Sequence, residues 1–428
     1  MMTLESYLPE MLATRRDLHQ HPELGWTEFR TTERIVKTVR ALGFETIVGR
    51  ALFNLDYTFG RNEEMIRDAA NQALRDGMDA EIMKELDGYT GCMAIFDTGR
   101  PGPVTALRFD IDCVAVEEDK TDANEAWREG FTSKVRGLMH ACGHDAHTAV
   151  GLGVARWIHD NADRLNGKIK LIFQPAEEGT KGAAGIAFSK NLDDVNYMIG
   201  AHIGVKARLH EVGVIRSGFL STTKYNVQFT GVAAHSGSCA QLGRNALMAA
   251  CNAAVQLMGI PRHGKGNTNV NVGIVDAGEG RNIVGAHANM EIEVRGERSE
   301  INAYMEECAK RMISGCATSY GVDYKIETAG MATSVVSDTM LCDLITEAAK
   351  NTEGVQRVFD IDACPGSEDC SLLMNAVQKH GGQAAFFFFG CDHPGHHLKT
   401  FQIQDTESMP VGFSVYVKLL EKLNATGC

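Results

Sequence analysis

Two kinds of strand pattern occur along this chain, and together they restrict the folds it can adopt. Short apolar runs at 104–109, 169–173, 197–201 and 384–389 show no polar alternation. Such runs suit strands covered on both faces, as in a mostly parallel sheet flanked by helices. Helical patterns at 144–158 and 371–378 separate several of them. Residues 3–43 also read as helical, with Ile35, Val36, Val39 and Leu42 at helical spacing and Gly43 in a C-cap position. A charged, Ala-bearing stretch within 53–86 (NEEMIRDAANQALRDGMDAEIMKEL) reads as one or two solvated helices inserted before the first core strand.

Residues 222–328 follow a different rule. Four segments alternate strictly: Tyr225, Val227, Phe229; Val270, Val272, Ile274; Met290, Ile292, Val294; and Val322, Tyr324, Ile326. Alternation gives each strand one covered and one wet face. Helical stretches at 242–258 and 300–313 complete a β-α-β-β-α-β order, the ferredoxin-like open sandwich. The expected organisation is an α/β catalytic domain of residues 1–219 and 331–428, interrupted by a small domain at 220–330.

Composition narrows the function. A formal charge of −13 leaves no positive field to exchange for phosphate counterions, so nucleic acid is an unsuitable partner. No apolar run reaches ten residues, so no segment is expected to span a membrane. The Arg pair near the start has no apolar stretch after it, which argues against a secretory signal and for the cytoplasm. Twelve cysteines scattered over 428 residues read, in a reducing compartment, as small buried hydrophobes, with Cys142 set apart by its neighbours.

Ligand groups in such sheets collect beyond the carboxyl ends of strands. Here the apolar runs lead into Asp110-Ile111-Asp112, into Gln174-Pro175-Ala176-Glu177-Glu178, into His202, and into His393-Pro394-Gly395-His396-His397. The densest group, His140-Ala141-Cys142-Gly143-His144-Asp145-Ala146-His147, stands directly before a helix. Thiolate and imidazole favour zinc and related ions, and Cys-x-His on a Gly-containing turn can aim both donors at one centre. No second Cys/His pair lies close enough for a structural knuckle. The clusters therefore suggest a metal centre with an open position. Adjacent Glu177 and Glu178 cannot point the same way on an extended segment, so one can bind metal while the other acts as a general base.

The motifs RRDLHQHPELGWTEFRT (15–31), RFDID (108–112), MHACGHDAHTA (139–149), LIFQPAEEGTKGA (171–183), AHIG (201–204), FTGVAAHSG (229–237) and PGSEDCS (365–371) resemble those of the dinuclear-metal amidohydrolases that include hippurate hydrolase and plant auxin-conjugate hydrolases. The resemblance covers nearly the whole chain. It implies hydrolysis of an N-acyl amino acid by a metal-activated water, with two divalent metal ions, Mn or Zn, held by Cys142, His144, Glu178, His202 and a C-terminal histidine. Placed four residues before the aromatic Phe401, that histidine is His397, with His396 and His393 as bystanders. The resemblance further implies Glu177 as general base and Asp112 as the group orienting a ligand. It makes the small domain a lid and dimerisation domain, whose His235 reaches a partner's site to stabilise the oxyanion while Asn282 and Arg295 hold the substrate carboxylate. The partner is a second copy or a related subunit. Cys113-Val114-Ala115-Val116, Ser238-Cys239-Ala240-Gln241 and Gly285 depart from the family pattern without touching a metal ligand, and they loosen any inference about substrate.

Two competing readings remain at this stage. One is a binding subunit of a hetero-oligomeric hydrolase; the other is a thiol hydrolase using Cys142 and His144. The second is disfavoured, because residues two apart on a turn seldom reach in-line geometry and no third orienting group is evident.

Overall fold

The computed structural model of the chain describes residues 4–364 and 366–425. Thr3, where the helical pattern begins, and Pro365 of the PGSEDCS motif lie outside the described residues. In chain order the strands are β1 (Glu45–Val48), β2 (Cys92–Asp97), β3 (Val104–Asp110), β4 (Lys168–Gln174), β5 (Tyr197–Ile203), β6 (Glu211–Ile215), β7 (Ser221–Thr230), β8 (Thr268–Ala277), β9 (His287–Gly296), β10 (Asp323–Ala332), β11 (Arg357–Ile361) and β12 (Gln383–Phe389). They divide between two compact units. The larger takes the chain up to Ser217, Val335–Ala363 and the chain from Asp369; the smaller takes Gly218–Ser334 and Cys364–Glu368.

The larger unit is built on a mixed eight-stranded sheet in the order β1-β2-β4-β3-β5-β12-β6-β11. Its centre, β4-β3-β5-β12, is parallel, and these are the four apolar runs of the sequence. Both faces of these strands are buried, as β3, β4, β5 and β12 show from their second residue onward. The flanking pairs β1/β2, β2/β4 and β12/β6 are antiparallel, so the sheet is less uniformly parallel than its core. As expected, the charged stretch forms two helices, Glu63–Arg75 and Ala80–Leu86, ahead of the core strand β3, while the marginal strand β1 precedes it. The helical pattern of the first 43 residues is also interrupted. It splits into Leu8–Gln20 and Phe29–Ala41, because Pro22 disfavours helical geometry at His21, where φ is −129°.

The smaller unit has the β-α-β-β-α-β order, with an antiparallel sheet β10-β7-β9-β8 covered by the helices Ala246–Met258 and Ser299–Tyr320. Tyr225, Val227, Phe229, Met290, Ile292 and Val294 are buried in its core. Two residues expected to be covered are exposed. A register shift between Val272 and Ile274 turns Ile274 outward, and Tyr324 is exposed on edge strand β10. β10 also runs past residue 330: Met331 and Ala332 pair with Thr223 and Thr222. Cys364 and Gly366 bond to Gly218 and Leu220, which ties that short return segment to the smaller unit.

Among the described residues the cysteines are buried except Cys239, which is half-buried, and Cys251, which is exposed, so packing accounts for neither of these two.

A network of buried charge lies beneath the carboxyl ends of the parallel strands. Arg108 on β3, fully buried, donates to Asp110 at 2.5 Å, to Gln174 on β4 at 2.8 Å and to Asp369 at 3.2 Å. Gln174 donates to the same Asp369 oxygen at 2.8 Å. Removing one partner of a buried pair leaves an uncompensated charge and costs about 3–5 kcal/mol. Arg108→Met, which keeps much of the volume, is therefore expected to lower the unfolding free energy by about 3–5 kcal/mol in urea titration. A change below about 1 kcal/mol would show that the network does not hold the sheet.

Candidate metal centre

The parallel register places several polar groups at one end of the sheet, with Asp110 opposite Gln174 and His202 opposite Phe388. Asp112 follows β3, Glu177 and Glu178 follow β4, and His396 and His397 follow β12. Cys142 and His144 arrive from the turn that opens the helix His144–Asp160. That turn needs Gly143, whose φ is +90° and whose site leaves no room for a side chain: a Cβ there would lie 2.5 Å from Ile203 Cγ2.

The ring nitrogens show which histidines can accept a cation. His202 donates its Nδ1–H to the Ile203 carbonyl at 2.8 Å, leaving the Nε2 lone pair 3.5 Å from Cys142 Sγ. His144 directs Nδ1 at the Asp112 carbonyl, 3.0 Å away, and at Asp112 Oδ1, 3.2 Å away. Its Nε2 is buried without a hydrogen-bond partner, 3.9 Å from Glu177 Oε2 and 4.0 Å from Glu178 Oε1. His397 Nε2 lies 3.0 Å from Glu178 Oε1, and Cys142, Glu178 and His397 each offer one donor atom within 4.8 Å of the others. The structure thus gathers Cys142, His144, Glu178, His202 and His397 into contiguous clusters.

Two other histidines use both nitrogens elsewhere. His147 accepts the Ile203 N–H on Nε2 at 2.8 Å and so donates Nδ1–H to Asp110. His396 accepts the Val205 N–H on Nε2 at 3.2 Å, which turns Nδ1–H towards Cys142 Sγ at 3.5 Å. Asp112 orients two of these candidate donors at once, since its Oδ2 also accepts the Glu178 N–H at 2.9 Å.

The electrostatics favour positive charge at this point. Burial and the Glu178 charge push the Cys142 thiol well above its ordinary range, so a thiolate here requires a cation beside it. Burial would lower the His144 ring, but Asp110 and Cys142 outweigh it and hold the ring well above its ordinary value. Burial, with His147 nearby, keeps His202 well below its own, neutral and able to coordinate. A buried imidazole nitrogen without a partner, a thiol and converging carboxylates fit a divalent metal of the zinc and manganese kind.

In the smaller unit, His235 Nδ1 accepts the Gly237 N–H at 3.2 Å, and Asn282 is its neighbour across the Ser236 N–H to Asn282 carbonyl bond at 2.9 Å. Arg295 on β9 is engaged by Glu293 of the same strand, at 2.9 and 3.0 Å. The sequence places Asp110 and His147 only within clusters of potential donors and gives Arg108 no role of its own. Asp110 and Arg108 stood in the RFDID motif, but their function depends on contacts from other strands.

Imidazoles, a thiol and paired carboxylates at the carboxyl ends of parallel strands define a metallohydrolase. The chain belongs to the peptidase family M20/M25/M40, whose profile matches residues 106–422, and it is a hydrolase of amide bonds. Over 97% of its length and 99% of the relative's, it is 42% identical to a Haemophilus influenzae homolog of one subunit of p-aminobenzoyl-glutamate hydrolase. It is 41% identical to the indole-3-acetyl-aspartic acid hydrolase of Enterobacter agglomerans, over 94% of this chain and 93% of that one. Among solved structures, an aminobenzoyl-glutamate utilization protein from Klebsiella pneumoniae superposes with a TM-score of 0.84 at 36% identity, covering 98% of both chains. A solved member of the family, from Bacillus subtilis, is described as a dinuclear metal-binding peptidase.

Behind the HACGHD turn, Asp145 is fully buried and contacts Arg15 at 2.9 Å and His19 at 2.8 Å, while His19 also meets Glu118 at 3.0 Å. Burial and Arg15 push the His19 ring down, but its bonds to Asp145 and Glu118 outweigh them and its value is raised. A raised folded value means stability that is complete below the ordinary histidine value, about 6.5, and is lost as pH climbs through the folded one. The stability advantage of the natural protein over His19→Gln should therefore shrink as pH rises above about 6.5. Urea titrations of both proteins between acid and alkaline pH check this, and an advantage that grows with pH would refute the charged His19.

Proposed function

We propose that the chain hydrolyses the amide bond of an N-acyl acidic amino acid, with p-aminobenzoyl-glutamate as the foremost substrate, releasing p-aminobenzoate and glutamate. The observation that carries this reading is the pair Glu177 and Glu178, both within about 4 Å of His144 Nε2, with only Glu178 also bound to His397. The two relatives support the substrate class, since the substrates in their names are aryl or indolyl amides of glutamate and aspartate. Hippurate-like amides, other indole-acyl amino acids and dipeptides are the alternatives.

Two divalent ions, manganese or zinc, would be held by Cys142, His144, Glu178, His202 and His397. When bound, such a pair acidifies a water and polarises the scissile carbonyl. Glu177 accepts the water's proton on its carboxylate and returns it to the leaving nitrogen. Asp112 fixes the His144 ring through Nδ1 and the Glu178 backbone through its N–H. The tautomer of His396, with Nδ1–H towards the Cys142 sulfur, supports His397 as the C-terminal ligand.

The partner's His235 donates to the oxyanion, and Asn282 and Arg295 receive the substrate carboxylate. The Glu293 carboxylate must release Arg295 for that role. The smaller unit pairs with a second copy or a related subunit. Its edge strand β8 exposes Ile274 and Val275, its helix Ala246–Met258 exposes Met248, Val255 and Met258, and the Haemophilus relative is named for one subunit of its hydrolase. Among the described residues no helix is long and apolar enough to cross a membrane, and the cytoplasm is the proposed location.

Glu177→Gln should keep its metal content yet lose turnover by at least about a hundredfold; a rate close to the natural one would remove Glu177 as the base. His397→Ala should weaken metal binding by at least about tenfold in chelator competition, with His396→Ala milder. The reverse order would exchange the two assignments. Purified protein loaded with Mn²⁺ or Zn²⁺ should cleave p-aminobenzoyl-glutamate faster than hippurate and neutral dipeptides, and a preference for the neutral amides would overturn the substrate class.

A further inference from the structure

The loop that carries Glu177 and Glu178 has a backbone shape that its residues do not favour. Ala176 sits at φ +51° and Thr180 at φ +62°, on either side of Gly179 at +84°. The left-handed region costs a non-glycine residue about 1–2 kcal/mol, so surrounding contacts must impose it. The loop's neighbours press closely on it. A Cβ on Gly25 would lie 2.9 Å from Ala176 Cα, and one on Gly91 would lie 2.5 Å from Pro175 Cδ. Inside this enclosure Glu28, fully buried, accepts the Ala176 N–H on Oε1 at 2.8 Å and the Thr90 hydroxyl on Oε2 at 2.5 Å.

Resting on the hydrolase reading above, we propose that Glu28 is the positioning residue of the general base: it clamps Ala176 in the left-handed turn that sets Glu177 apart from Glu178. A rotation at Ala176 displaces Glu177 directly, because Ala176 is the residue before it. Glu178 has a clamp of its own, the Asp112 carboxylate on its N–H. The two carboxylates are thus held by different anchors, and loosening Glu28 should misplace the base while sparing the metal ligand. Misplacement by about an ångström costs on the order of a hundredfold in rate.

Burial, with the Asp112 charge next in weight, pushes the Glu28 carboxyl well above the usual carboxylate range. A glutamine is then a close mimic: its oxygen can accept the Ala176 N–H, and its amide can donate to the Thr90 oxygen.

The test compares Glu28→Ala, Glu28→Gln, Thr90→Val and Glu177→Gln for kcat, KM, metal per chain and melting temperature. Glu28→Ala should lose about 30- to 100-fold in kcat, with KM within about threefold and metal content unchanged. Glu28→Gln should recover to within about threefold of the natural kcat. An unchanged kcat per folded molecule in Glu28→Ala, or a Gln variant as slow as the Ala variant, overturns the proposal. If Glu28→Ala does not fold, Thr90→Val, which removes only the hydroxyl on Oε2, reads the same question: a loss of about three- to tenfold in kcat at constant KM supports the clamp, and no loss overturns it. An active Glu177→Gln would instead defeat the general-base reading itself. An inactive Glu177→Gln beside a fully active Glu28→Ala defeats only the role of Glu28.

Discussion

Asp110 is the charge on which the larger unit's site depends. It ends β3 with no exposure to solvent, bonded on one side to Arg108 and on the other to His147, with His144 Nε2 3.6 Å away. An isolated carboxylate in that position would be prohibitively costly, so its partners are obligatory. Arg108 in turn binds Gln174 and Asp369, which fixes the ends of β3 and β4 and the start of the helix Cys370–Lys379 relative to one another. The same carboxylate balances charge below the site and raises the affinity for positive charge within it. Structural order and the chemistry of the centre therefore share one residue.

The sequence pattern revealed those parts of the fold in which burial is uniform or strictly alternating. Central strands β3, β4, β5 and β12 are mostly apolar and buried from their second residue because both faces are covered, and β7 and β9 alternate because only one face is covered. β1, with the burial of a strand at the sheet margin, and β11, whose residues are mostly part-exposed, carry neither signal. Ile274 obeyed the alternation as a letter, but a bulge one residue earlier reversed its direction. Such a bulge depends on the pairing with β9 and leaves no mark in local periodicity.

The donor set was legible because its members are concentrated. Cys142 and His144 share one turn, Glu177 and Glu178 are adjacent, and His202 ends an apolar run. What the letters could not show is which nitrogen of each ring is available. That depends on backbone groups such as the Ile203 carbonyl and the Val205 N–H, which any residue but proline at 205 would supply. Glu28 was hidden for a related reason: its partner is a main-chain N–H 148 residues away.

The position of β12 has a consequence for how this molecule is made. It lies between β5 and β6, pairing parallel with one and antiparallel with the other, yet it is the last strand among the described residues. During synthesis β5 and β6 emerge first, and the whole of the smaller unit follows before the Phe386–Phe389 run leaves the ribosome. Two strand edges must therefore wait side by side without their common partner, a gap that any extended apolar segment could enter. Completion of the sheet is a late, long-range event, and His397, the proposed ligand that follows β12, arrives later still.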